Sequence, residues 1–133
     1  QFEQTQNVKN VFLFFHELLW TARVPKYSKV RHNYYSYNKY FESNFWKEVF
    51  TIFWRSKYKD KNIYIIAGDV GGNPNVIPAF YEKIGHVTLI ATGMGEVQDE
   101  NFLLVRINDG KASFELVPLN ENNTLKELEH YTP

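Results

Sequence analysis

Two side chains in this sequence stand where a strand exit would free them for chemistry. The apolar run Val11-Phe12-Leu13-Phe14-Phe15 stops at His16, before Glu17-Leu18-Leu19-Trp20 carries the chain onward. A second run, Ile63-Tyr64-Ile65-Ile66-Ala67, passes straight into Gly68-Asp69-Val70-Gly71-Gly72. Short apolar runs of this kind read as fully buried strands, and open α/β sheets bind ligands just beyond the carboxyl ends of such strands. An imidazole and a carboxylate at two exits suit metal ligation or proton transfer. The plainer reading makes both residues turn formers, Asp69 through an Asx hydrogen bond to the following backbone.

A second group of candidates lies between Pro25 and Phe41. Tyr27, Tyr34, Tyr35, Tyr37 and Tyr40 alternate there with Lys26, Lys29, Arg31, His32 and Lys39, and no acidic residue interrupts them. The segment has neither helical nor alternating periodicity, so it reads as a long surface loop, a length usually tied to function or disorder. Tyrosine and basic side chains stack on and hydrogen-bond to sugars and phosphates, which makes Lys26, Tyr34 and Tyr35 candidate substrate contacts. The competing expectation is that the tyrosines simply pack on the body of the protein. Of the remaining histidines, His86 reads as a turn or satisfied edge residue, and His130 lies in a polar tail.

Other chemistries are excluded or unsupported. The 133 residues contain no cysteine, which removes disulfides, thiolate metal sites and cysteine nucleophiles. Fifteen basic and 15 acidic residues cancel, so no global field recruits nucleic acid. Gly68-Asp69-Val70-Gly71-Gly72 lacks the Gly-Lys-Ser/Thr ending of a phosphate loop. No Ser-His-Asp arrangement can be argued. No transmembrane stretch or signal peptide is visible, so a soluble chain of open compartment is expected. The start at Gln1 fits a processed protein or an excised piece of a longer one.

The elements that must position these residues follow from pattern. A helix is expected over Asn44 to Lys57, capped by Ser43 or Asn44, with Phe45, Val49, Ile52 and Phe53 on one stripe and Trp46, Phe50 and Trp54 beside it. Lys57, Lys59 and Lys61 suit the negative end of its dipole. Ile77 to Lys83 reads as a short helical turn, and Val87-Thr88-Leu89-Ile90-Ala91 as a third buried strand. Asn101–Ile107 and Ala112–Leu119 flank Asp109-Gly110, a strong type I′ hairpin signal. A polar tail, 120–133, holds at most a short helix over Leu125 to His130. The expected class is α/β: a mixed sheet of three buried strands, packed helices and a C-terminal antiparallel hairpin.

In this order, a strand ending in histidine, a long loop, a helix, a strand ending in Gly68-Asp69-Val70-Gly71, then Leu89-Ile90-Ala91-Thr92-Gly93-Met94-Gly95 and Asn101-Phe102-Leu103-Leu104-Val105-Arg106-Ile107, the chain resembles the C-terminal half of a calcineurin-like metallophosphoesterase. The resemblance covers roughly Val8 to Leu119, taking 1–119 as the phosphoesterase portion. It implies a two-sheet sandwich, with His16 in the place of the metal-binding histidine of a His-His-Pro motif. Gly68 matches the glycine of a Gly-His-x-His motif, Asp69 replaces its first histidine, and Gly71 replaces its second. An aspartate still offers oxygen to Mn, Zn, Fe or Mg, whereas glycine offers no side chain. The family's N-terminal Asp-x-His, Gly-Asp-x-x-Asp and Gly-Asn-His motifs are absent.

The resemblance therefore implies a portion of a metal-dependent phosphoric ester hydrolase, inactive as an isolated chain. His16 and Asp69 would stand near metal, and Gly71 and Gly72 would let the backbone approach it. A divalent metal is expected if a longer protein completes the site, and none is required in this chain alone. The implied partners are a phosphoester or phosphorylated glycan and a missing N-terminal half. The contrasting expectation is a non-catalytic binding or assembly module, whose loop 25–41 grips a glycan, a phosphate ligand or a protein.

Overall fold

The computed structural model describes residues 7–21, 24–27, 30, 44–70, 77–93 and 100–133. Six strands build it: β1 (Asn10–Phe15), β2 (Asn62–Ala67), β3 (Ala79–Ile84), β4 (Val87–Thr92), β5 (Asn101–Asn108) and β6 (Lys111–Pro118). The first four form one sheet in the order β1-β2-β4-β3, with β1, β2 and β4 parallel and β3 antiparallel to β4. The last two form a separate hairpin. The fold is mostly β, with sparse helix.

Each run of apolar residues is explained by what covers it. On one face of the sheet Val11, Ile63, Ile65, Ala67, Phe80, Val87, Leu89 and Ala91 pack against Leu18, Trp20, Tyr27 and Phe45. On the other, Ile66, Ala79 and Ile90 pack with Phe12 and Tyr64 against the hairpin residues Leu103, Phe114 and Leu116 and against Leu128. All six positions of β4 are buried, as a strand covered on both faces requires. Burying one such Ile or Leu side chain contributes about 1.5–3 kcal/mol.

The helix is shorter and less regular than its sequence suggests. A π-helical stretch, Phe45–Phe50, runs into α1 (Thr51–Trp54), and a 3₁₀ turn at Ser56–Tyr58 follows. Asn44 precedes it without a side-chain capping bond. A π turn holds more residues than an α turn, which rotates everything after it. Ile52, expected on the Phe45–Val49 stripe, accordingly faces out at 42% exposure, while Phe50 and Phe53 join the core.

Two further expectations are corrected and the tail's short helix is narrowed. Residues 77–83 supply not a helical turn but most of β3, a fourth strand. Gly85, at φ +58, closes it onto β4 through a two-residue connection in which Ile84 pairs with Val87. The first run ends before His16 as expected, but it is not fully buried: β1 lies at the sheet edge and leaves Phe14 71% exposed. The helix in the tail is a 3₁₀ turn at Leu128–Tyr131, and Leu128 is buried against the sheet. The hairpin matches its expectation closely: Asp109 and Gly110 both have positive φ, as a type I′ turn demands.

Candidate site at the strand exits

Parallel pairing of β1 with β2, in which Phe15 faces Ala67, brings the two strand exits together. The Gly68 amide donates to the His16 carbonyl (3.2 Å), tying the exits by backbone. Beyond His16 the chain folds back sharply: the Leu19 amide donates to Glu17 and the Thr21 amide to Leu18, while the Thr21 hydroxyl donates to Leu18 as well. This turn drives Leu18 and Trp20 into the core and leaves the His16 side chain exposed.

Asp69 is in the opposite condition, only 8% exposed. It forms an isolated antiparallel bridge with Gly93, and the next amide, Val70, donates to the Thr92 carbonyl (3.3 Å). Gly93 is required for this approach, because a Cβ there would overlap the Val70 carbonyl. The close backbone approach at these exits is thus made by Gly93, at the end of β4. The Gly93 carbonyl in turn accepts from the Asn101 amide (3.3 Å), so the same residue links the exits to the start of the hairpin.

Lys26 lies elsewhere. It follows Pro25 in a 3₁₀ turn (Pro25–Tyr27) and pairs with Glu82 on β3, the edge opposite β1. Three strand spacings, roughly 14 Å, separate those edges. Tyr27 is buried, and its hydroxyl donates to the other Glu82 oxygen. Burial, reinforced by that bond and by the Glu82 charge, holds the Tyr27 phenol well above the usual tyrosine range. Tyr34, Tyr35, Gly71 and Gly72 lie outside the described residues, as does His32.

An open cavity of about 350 Å³ adjoins Lys26 and is lined also by Val30, Ile77, His130 and Tyr131. Sequence reasoning set His130 aside. Its ring nitrogen contacts the Lys126 ammonium at 2.8 Å. His86 is satisfied, as expected: Nε2 contacts the Phe53 carbonyl at 2.7 Å and the ring stacks on Trp54.

Among the described residues the exits do not make a complete cation site. A catalytic zinc takes three protein ligands, whereas His16 and Asp69 offer one imidazole and one carboxylate. Among the described residues no group of three or more histidine, aspartate or glutamate side chains converges on one point. Nor, among them, is any helix long and apolar enough to cross a membrane. No family model, curated protein or solved structure matches the chain.

Proposed function

We propose that this chain is the C-terminal portion of a metal-dependent phosphoric ester hydrolase of the calcineurin-like kind, inactive by itself. The observation that carries the reading is the adjacency of the β1 and β2 exits, with His16 exposed at one and Asp69, one residue past the other, nearly buried. The packing of the β5–β6 hairpin across one face of the mixed sheet supports it too, as part of the two-sheet sandwich that the resemblance implies. With two donors at the exits, no hydrolytic step can be assigned to these residues alone. Their share of the work is to present nitrogen and oxygen at one rim, with Gly93 keeping the Asp69 backbone close to β4.

The competing reading as a binding module draws on the segment 25–41, and two of its residues are already engaged. Lys26 and Tyr27 both hold Glu82. The hydrolase reading is tested with the product of the complete reading frame, assayed on a nitrophenyl phosphodiester and a phosphomonoester with Mn²⁺ or Zn²⁺. Turnover that falls by about a hundredfold in both His16→Ala and Asp69→Asn supports it. Absence of turnover, or turnover indifferent to both substitutions, overturns it. The isolated 133-residue chain is expected to be inert under the same conditions.

A further inference from the structure

Among the described residues nothing protects the outer edge of β1. Its six residues, Asn10 to Phe15, include no charge and no proline, and among the described residues no strand pairs with its outer side. Natural sheets blunt such edges with charge, proline or bulges. The bond from the Asn62 amide to the Lys9 carbonyl fixes the phase of the β1–β2 ladder. The backbone groups of Val11, Leu13 and Phe15 therefore turn toward β2, and those of Asn10, Phe12 and Phe14 turn outward. Phe12 stacks on Tyr64, with centroids 5.0 Å apart, and Tyr64 packs on Phe114 of the hairpin at 4.8 Å. Phe14 shares the Phe12 face, yet the hairpin stops short of it and leaves it 71% exposed. The aromatic layer is unfinished at this edge.

We infer that the β1 edge pairs antiparallel with the β1 edge of a second copy of this chain, about a two-fold axis through Leu13. The pattern is self-complementary about that residue. Phe12 faces Phe14 of the second copy and the reverse, so outward amides meet outward carbonyls, and each exposed Phe14 extends the row from Phe114 through Tyr64 to Phe12. Such isologous contact is the usual geometry of homodimers. The strand's lack of charge removes like-charge repulsion along its length. His16 lies opposite Asn10 of the second copy, whose side-chain amide donates to Gly110 (2.8 Å) and so ties the strand start to the hairpin tip. The other edge cannot self-pair as freely, since β3 carries Glu82 and Lys83. One six-residue edge buries less than the ~1,200 Å² of a standard interface, so the dimer is weak and concentration-dependent. This inference stands apart from the hydrolase reading.

Sedimentation equilibrium of the full chain, from low micromolar to near-millimolar, should follow a monomer–dimer curve. Phe14→Lys should weaken association about tenfold or more. Phe102→Lys, on the hairpin, should leave it unchanged. Amide exchange on the native chain needs no variant: protection of Phe12 and Phe14 should rise with concentration while that of Leu13 and Phe15 stays constant. A monomer at every concentration overturns the inference, as does a dimer or larger oligomer that survives Phe14→Lys with unaltered Phe12 and Phe14 exchange.

Discussion

At one edge of the sheet, β3 runs antiparallel to its neighbour and places Glu82 and Lys83 beside Phe80 and Tyr81; at the other, β1 runs parallel to its neighbour with only apolar residues after Asn10. Glu82 is held from above by Lys26 and Tyr27, and the tail's 3₁₀ turn packs on the opposite side of β3. β1 has its first residue pinned to the hairpin tip, while Phe14 faces solvent. One edge strand thus has its side chains held by distant segments, while among the described residues the far end of the other is left uncovered. Edge identity is set by what the rest of the chain brings to each strand, more than by the strand's own hydrophobicity.

The sharpest way to break the comparison is to hollow out the closed edge. Phe80 is fully buried and meets the rings of Trp20 (5.7 Å) and Tyr27 (5.4 Å). Phe80→Ala should cost about 3–5 kcal/mol, the range for deleting a buried aromatic ring. Urea unfolding reads this directly as a lower midpoint. A loss below about 1 kcal/mol would show that β3 is no better anchored than β1.

A smaller effect isolates the polar tie. Tyr27→Phe removes the donor to Glu82 and leaves its carboxylate with Lys26, at a cost of about 1–2 kcal/mol. The pH dependence has a definite sign. Because the folded phenol titrates above the unfolded value of about 10, its contribution is fully present below that pH and is lost as pH rises through the folded value. Stability of the wild type should therefore decline in alkali. Burial also raises Tyr64 and Tyr81, so the decline in Tyr27→Phe should be shallower but not absent. Identical alkaline slopes for the two proteins would remove Tyr27 from the account.

The contrast between the edges also explains what the sequence reveals. β2, β4 and the hairpin are legible because each is specified locally, by an unbroken apolar run or by Asp109-Gly110. β3 is not, because Ala79-Phe80-Tyr81-Glu82-Lys83-Ile84 mixes charge with aromatics to suit one partner on each face. The available clue was Gly85, since a glycine opening a two-residue connection favours a hairpin. Adjacency of the β1 and β2 exits was legible because successive parallel strands with a crossover tend to pair. The burial of Asp69 was not, because it depends on the Gly93 bridge across two chain segments. The Tyr27–Glu82 tie likewise spans 55 residues and leaves no local trace.

The smallest expected effect sharpens the comparison most. Phe14 and Phe80 are both phenylalanines on edge strands, but one is 71% exposed and the other fully buried. In dilute solution Phe14→Ala should change the unfolding free energy by no more than about 0.5 kcal/mol, since little apolar area leaves water there in the monomer. The same measurement at high protein concentration should widen the gap, because a partner that binds only the folded chain stabilises it by mass action. A deficit above about 1 kcal/mol in dilute solution would mean that the β1 edge is already covered within one chain. A gap independent of concentration would place Phe14 outside any association, and the two edges would then differ in composition alone.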